Sequence, residues 1–395
     1  MFLFLILCGS LALLGHWALC IGVFNRVAGS RLPCWIVGRV ERLCLALMVF
    51  VPTAFMAWVW YARIRSYEEL VASSIGIVCL AYLTACVLTS LGFLPDWLRR
   101  KFSAKPVAAL VSNDTEYHNV AQALGHWPVG SRSSRVMSYF PGNEICRLAV
   151  PTKTLQLQRL PRELDGFSIV HLSDLHYTGQ LTQAYYNYVV DRANELAGDV
   201  IVITGDIIDK TRCIDWIPST LGRLQAEHGV YFVLGNHDKR VEDVEHLRRV
   251  LTQTGMKHVG GRVMSLELNG TEIQLAGNEL PWFPLRAAAD VFTPHARDHE
   301  VFRILLAHTP DQYEWAKQRG FDLMLAGHNH GGQVRLPWIG PILSPSRYGA
   351  RYASGLFEEG PTLLHVSRGI AGTHPLRIHC QPELAKLVLK CASKA

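Results

Sequence analysis

DVIVITGD, residues 199–206, sets an unbroken β-branched run, Val200 to Thr204, between a leading aspartate and a closing glycine and aspartate. β-branched side chains favour extended backbone, and an apolar run with no polar alternation is the mark of a strand covered on both faces. Two neighbours repeat the form: FSIVHLSD at 167–174 and GVYFVLGN at 229–236. The stretches after these three strands, near 181–196, 219–226 and 241–254, carry helix-like patterns. Strands alternating with helices of this length predict an α/β domain with helices packed on sheets. Further on, MSLELNGTEIQLAG (264–277) alternates with period two around Asn269-Gly270, which signals a hairpin. FRILLAHTP (302–310) and FDLMLAGH (321–328) read as two more buried strands flanking a helix candidate at 311–318.

Ligands of open α/β sheets bind beyond the carboxyl ends of strands, so the polar residues closing these runs carry the chemistry. They are Asp174 and His176, then Asp206 and Asp209, then Asn236, His237 and Asp238, then His308, then His328 and His330. Taken singly, each has an ordinary explanation: an aspartate after a strand caps a helix, and Gly-Asn makes a turn. Five such segments in order do not, because Asp174, Asp206 and Asp209 gathered at one sheet edge repel one another unless a cation lies between them. Oxygen and nitrogen donors without thiolate suit Mn²⁺, Fe²⁺, Zn²⁺ or Co²⁺. His171, inside a strand, reads as structural.

The first hundred residues differ in kind. Runs at 2–24, 43–62 and 71–94 are each about the ~20 residues a bilayer needs and contain no Asp, Glu, Lys or Arg. A cleaved signal peptide fits the first run poorly, since it lacks a basic start and a small-residue cleavage site. Arg26, Arg31, Arg39 and Arg42 lie between the first two runs, and Arg99, Arg100, Lys101 and Lys105 follow the third; Arg63 and Arg65 between the others are offset by Glu68 and Glu69. The positive-inside rule then predicts a multi-pass membrane protein with everything after Trp97 in the cytoplasm. The net charge of +6 comes largely from these flanks and gives no dense basic stripe, so no nucleic-acid partner is expected. Five of the ten cysteines lie in the apolar runs and the rest lack paired spacing, which fits a reducing compartment. The expected organisation is a transmembrane region at 1–105, a connector and edge element at 106–159, and a catalytic domain at 160–395.

The ordered motifs DLH, GDIID, GNHD, AH and GHNH resemble those of the calcineurin-like metallophosphoesterases. SDLH, AHTPD, GHNHGGQVRLPWIG and VSRGIAGTHPLRI look more like the membrane-associated bacterial branch, which includes UDP-2,3-diacylglucosamine pyrophosphatases, than like the protein phosphatases. The resemblance implies an αββα sandwich following the membrane helices and two divalent cations. One would be held by Asp174, His176, Asp206 and His330, the other by Asp206, Asn236, His308 and His328, with Asp206 bridging. It also implies that His237 contacts phosphate and protonates the leaving oxygen. Asp238 is expected either to orient that ring or to cap the following helix, and Asp209 to support a ligand.

The resemblance fixes the reaction class more narrowly than the substrate. The expected activity is metal-dependent hydrolysis of a phosphodiester or pyrophosphate, with a lipid-linked substrate such as UDP-2,3-diacylglucosamine; small soluble nucleotides and a non-catalytic membrane sensor are the alternatives. Lys239, Arg240, Arg335 and Arg368 are candidate phosphate contacts. ELPWFPL (279–285) and RLPWIGPIL (335–343) place Trp282 and Trp338 on two loops, either as ordinary packing or as an apolar rim facing lipid.

Overall fold

The computed structural model describes residues 2–64, 66–102, 106–285, 292 and 301–392. The chain divides into two compact units, Met1–Pro106 and Val107–Ala395.

Among the described residues, the first unit holds four helices, α1 (Phe2–Ala28), α2 (Cys34–Tyr61), α3 (Tyr67–Val71) and α4 (Ser74–Phe102). Three segments, Ile6–Ala28, Trp35–Tyr61 and Ser74–Phe102, are long and apolar enough to cross a membrane. Helices α2 and α4 run beyond the uncharged stretches, because the Arg and Glu of 39–42 and the Leu, Arg and Lys of 98–101 are good helix formers and Asp96 adds the i,i+4 pair with Arg100 at 2.9 Å. Polar groups inside the unit are satisfied between helices: His16 Nδ1 meets the Tyr82 hydroxyl at 2.7 Å and Ser90 Oγ donates to Leu11 O at 2.6 Å. Of the flanking charges, Arg65 and Lys105 lie outside the described residues.

The second unit contains β1 (Leu110–Asn119), α5 (Val120–Leu124), α6 (Arg132–Ser138), β2 (Arg147–Leu157), β3 (Ser168–Leu172), α7 (Gln183–Glu195), β4 (Val200–Thr204), β5 (Val230–Val233), α8 (Val244–Gln253) and β6 (Lys257–His258). It continues with β7 (Val263–Leu268), β8 (Thr271–Asn278), β9 (Phe302–Ala307), α9 (Tyr313–Gln318), β10 (Leu323–Ala326), β11 (Arg335–Leu336), β12 (Gly340–Pro341), β13 (Gly355–Glu358), β14 (Leu363–Val366) and β15 (Ala385–Cys391). Two mixed sheets form, in the orders β1-β2-β15-β3-β4-β5-β6 and β13-β14-β10-β9-β8-β7. Strands β3 to β6 are parallel neighbours, as are β8, β9, β10 and β14.

Strand alternation explains the layering. Ile169, Val200, Val202 and Val233 point one way and meet Ile304, Leu306, Leu323 and Leu325 of the other sheet. Val170, Ile201, Ile203 and Phe232 point the other way, under α7 and α8. Helix α7 lays Tyr185, Tyr186, Val189, Val190 and Ala193 on the first sheet, each of the larger side chains gaining about 1.5–3 kcal/mol on burial. On the far side, Leu305, Met324 and Leu364 pack with Tyr313 and Ala316 of α9. The result is the expected αββα sandwich.

One expectation needs revision. Residues 219–226 form only one 3-10 turn, Leu221–Arg223, because Gly222 fits tightly against Thr254 and Thr220 leaves helical backbone at φ −117°, ψ −88°. Residues 106–159, expected as connector and edge element, supply β1 and β2, with β1 at the sheet edge and β2 paired on both sides.

Candidate metal centre

The parallel strands β3, β4, β5, β9 and β10 all end at one edge of the sandwich, and the segment after each delivers polar groups there. Asp174, His176, Asp206 and His330 bring one ligand atom apiece within 4.8 Å of one another, and so do Asp206, His308 and His328. Asp206 belongs to both groups. Its Oδ2 lies 3.6 Å from His176 Nε2 on one side and 3.2 Å from His308 Nε2 on the other. Asn236 Oδ1 joins the second group at 3.2 Å from His308 Nε2.

Ring orientation is fixed from outside the cluster. His308 Nδ1 faces the carbonyl oxygen of Thr204 at 2.7 Å and His330 Nδ1 that of Ala371 at 3.1 Å; a carbonyl only accepts, so each Nδ1 carries the proton. His176 Nδ1 lies 2.6 Å from Asp209 Oδ2. Each Nε2 is thereby left with its lone pair turned inward, and His176 Nε2 and His330 Nε2 face each other at 3.1 Å. Lone pairs opposed in this way, around a buried carboxylate oxygen of Asp206 on which no donor is aligned, fit a cation in their midst. With no cation bound, the carboxylates favour a proton at the place a cation would take. Burial opposes charge on His308, but Asp206 and Asp174 outweigh it and draw its pKa up to about 9. Burial likewise opposes charge on Asp206, yet His308, His237 and His176 hold its carboxyl well below the usual range.

The backbone pays for this convergence. Asp174, His176, Asp206, His328 and His330 all adopt left-handed φ, between 46° and 70°, at a cost of about 1–3 kcal/mol each for residues other than glycine. Two glycines make room: a Cβ at Gly205 would sit 2.7 Å from His308 Nδ1, and one at Gly327 would overlap Ser173 Oγ.

His237 and Asp238 separate in role. His237 Nδ1 contacts Asp209 Oδ1 at 2.5 Å and its Nε2 lies 3.9 Å from Asp206 Oδ2, so the ring stands beside the cluster. Asp238 makes neither expected contact. Its buried carboxylate accepts from Ile207 N and Ile208 N at 2.9 Å and from Gly235 N at 2.8 Å, tying two ligand-bearing loops together. Burial and Asp206 push its pKa up to about 7 against the Gly235 and Ile208 amides. The cap of α8 is Asp243, which accepts from His246 N. Asp209 instead gathers His176, His237 and Arg240, the last at 2.8 Å, and His176 and His237 hold it far below an ordinary carboxylate despite its burial.

Of the other expected cations, Arg368 is committed to Glu383 Oε2 at 2.6 Å and Arg335 to Gly331 O at 2.7 Å and Ser354 Oγ at 2.5 Å. Exposed Lys239 reaches Trp282 O at 3.3 Å. Trp282 packs its ring 4.9 Å from that of His328 and 5.4 Å from that of His308, whereas Trp338 is 90% exposed. Sequence reasoning missed Arg377, fully buried, which donates to the carbonyls of His330 (3.1 Å) and Arg368 (2.6 Å) and also to that of Ala371.

It also missed a buried chain behind the site. Lys153 Nζ donates to His365 Nε2 and to Glu383 Oε1, each at 2.8 Å; His365 and His171 meet through their Nδ1 atoms at 3.0 Å; His171 Nε2 reaches Thr204 Oγ1 at 2.8 Å. His171 is structural, as expected. Burial and Lys153 lower the pKa of His365 to about 4 from 6.5. A histidine kept neutral in the fold contributes stability that is present above its unfolded pKa and lost as pH falls from 6.5 toward 4. Lowering the pH from 7 to 5 should therefore cost ~2 kcal/mol through this residue. In thermal melts of the full chain, His365→Gln should flatten the fall of Tm with acidification by about one proton's worth of slope; an unchanged slope would refute the assignment.

Layered mixed sheets with a carboxylate shared by two His/Asp groups define a metallohydrolase architecture. The calcineurin-like phosphoesterase family model matches residues 167–332. An uncharacterized metallophosphoesterase, YkuE of Bacillus subtilis, is 33% identical over 242 residues, 60% of this chain and 84% of that protein. A transmembrane protein with metallophosphoesterase domain from Danio rerio is 27% identical over 411 residues, 98% of this chain and 89% of its own. The UDP-2,3-diacylglucosamine pyrophosphatase LpxG of Chlamydia muridarum is 25% identical over 288 residues, 59% of this chain and 87% of its own. The chain belongs to the calcineurin-like phosphoesterase family and is a metal-dependent phosphoesterase.

Proposed function

We propose that this protein is a membrane-anchored hydrolase that uses two divalent cations to cleave a phosphodiester or pyrophosphate bond in a lipid-linked substrate at the cytoplasmic face, with UDP-2,3-diacylglucosamine as the specific candidate. The observation that carries the reading is Asp206, whose unpartnered Oδ2 stands between two groups of inward-facing nitrogens. In this reading Asp174, His176, Asp206 and His330 hold one cation; Asp206, Asn236, His308 and His328 hold the other, the metal being Mn²⁺, Fe²⁺, Zn²⁺ or Co²⁺. Bound there, the pair supplies positive charge to the phosphoryl oxygens and lowers the pKa of a water molecule.

The protein's own groups do the rest. His237 offers Nε2 to the substrate side while Asp209 fixes the ring through Nδ1, the arrangement needed to contact a phosphoryl oxygen and to give a proton to the departing one. Trp282 packs against the His308 and His328 rings and walls that side of the cluster. The three apolar helices and the arginine-rich flanks at 26–42 and 99–105 support the membrane and cytoplasmic parts of the reading.

Asp209→Asn should lower activity or metal affinity by roughly 10–100-fold, the usual loss when a group orienting a ligand is removed. Equal activity and metal content in variant and wild type would remove Asp209 from this role. Substrate class is tested with the purified full chain in detergent and Mn²⁺. UDP-2,3-diacylglucosamine should be hydrolysed with a kcat/KM at least about tenfold above those of cyclic nucleotides and bis-p-nitrophenyl phosphate, the discrimination that ~1.4 kcal/mol of acyl-chain contact provides. The reverse ranking would replace the lipid-linked substrate with a soluble nucleotide.

A further inference from the structure

Three segments distant in sequence meet on one outer surface of the catalytic unit. Arg335 N donates to Ile378 O and Ile378 N to Gln333 O, both at 3.0 Å; on its other side the same segment takes Glu144 N onto Arg377 O at 2.7 Å and offers Arg377 N to Asn143 Oδ1 at 2.9 Å. Ile378 bridges both Asn143 and Val334. With one strand spacing on each side of this rung, the turn after α6 and the start of the β11–β12 hairpin lie about 10 Å apart.

What the two flanking segments present is apolar. Val136, Tyr139 and Phe140 are exposed beside α6, and Leu336, Trp338 and Ile339 are exposed on the hairpin. Side chains of this kind gain about 1.5–3 kcal/mol each when buried, and a contiguous patch of them marks an interaction surface. The exposed charge beside them is positive, and the adjoining carboxylate, Glu144, is turned onto Cys380 N at 3.0 Å and Gln381 Nε2 at 2.6 Å. Segments 131–143, 333–343 and 373–379 contain no Asp or Glu; of their arginines, Arg377 is buried and Arg335 half-buried. Arg132 and Arg135 are exposed.

We infer that this surface docks on the interfacial layer of an anionic lipid bilayer. Trp338, Ile339, Tyr139 and Phe140 enter at the level where headgroups meet acyl chains, and Arg132 and Arg135 meet lipid phosphates. Anionic lipid is the occupant favoured by the chemistry: aromatic and aliphatic tips without carboxylates suit it, while a second copy of the chain would set arginine against arginine. Because the same polypeptide carries three helices apolar enough to cross a membrane, docking is an intramolecular step with a high effective concentration. The surface also borders the metal centre. Gln333 comes three residues after His330, and Arg377, part of the rung, holds the His330 carbonyl. Docking therefore sets the cluster beside the headgroups, which deepens the lipid-linked reading and rests on it only for the effect on turnover.

The test reads position, not catalysis. The full chain is reconstituted in phosphatidylcholine vesicles with and without phosphatidylglycerol, carrying an environment-sensitive fluorescent amino acid in place of Trp338, of Phe140, or of exposed Glu267 as control; a thermal transition matching wild type certifies each labelled chain. Emission at the first two positions should shift to the blue and be quenched by nitroxide lipid several-fold more than at Glu267, and more strongly with phosphatidylglycerol. Quenching no greater than at Glu267, or a blue shift that grows only as protein per vesicle rises, as a second copy would cause, overturns the proposal. Trp338→Glu should in addition lower turnover of a vesicle-embedded ester relative to a soluble one by about tenfold. A chain that docks yet hydrolyses nothing would leave this inference standing and sink the hydrolase reading instead.

Discussion

Asp206→Asn should lower metal-dependent hydrolysis by about 10³-fold or more. A divalent ion neutralising phosphoryl charge contributes several kcal/mol, and each ~1.4 kcal/mol is a factor of ten in rate. The substitution removes the carboxylate common to both groups, so both cation positions weaken together. It does so with little change of shape. Asp206 Oδ1 accepts from His237 N at 2.7 Å, and the amide oxygen of asparagine can keep that bond. Loss of activity together with loss of bound metal, at an unchanged melting transition, is the expected result. Full activity with full metal content would mean that Asp206 is not shared. Asp174→Asn, which touches one group only, should leave measurable metal in the other.

His237→Gln should lower kcat by roughly 10²–10³-fold, within the range for a positioned proton donor, without loss of bound metal. The expectation follows from placement: the ring stands 3.9 Å from Asp206 Oδ2 and is held by Asp209 rather than by the inward-facing set. A proton donor matters most when the departing group is a poor one. The loss should therefore be larger for an alkyl phosphodiester than for bis-p-nitrophenyl phosphate, whose phenolate leaves unaided. Equal losses on both would assign His237 to phosphate contact alone, and a matching loss of metal would make it a ligand.

How much of this was legible in the sequence depended on how local the signal was. β3, β4, β5, β9 and β10 were readable because β-branched and apolar runs end in a polar residue, and that same punctuation located every member of the cluster. β1 and β2 were not read as paired strands: LVSNDTEYHN is an exposed edge strand with few apolar residues, and Pro151 interrupts the alternation of RLAVPTKTLQL. The helix expected at 219–226 followed from composition, whereas the tight seat of Gly222 against Thr254 depends on a residue 32 positions away. The division of labour between Asp209 and Asp238 was hidden for the same reason. Both lie close to candidate ligands in sequence, and only the fold turns one toward the imidazoles and the other toward amides of the loop 30 and 31 residues back. Arg377 and the Lys153–His365–His171 chain join residues up to 212 positions apart, and no spacing rule announces them.

The shared hold of Asp206 on two cations is tested most directly by a metal titration of the stripped full chain with bis-p-nitrophenyl phosphate as reporter. Chelator-treated protein should be inactive, Mn²⁺ should restore hydrolysis until about two ions are bound per chain, and Asp206→Asn should neither bind the pair nor recover activity. Hydrolysis that survives complete removal of metal, or an Asp206→Asn chain that titrates and turns over like wild type, would contradict it.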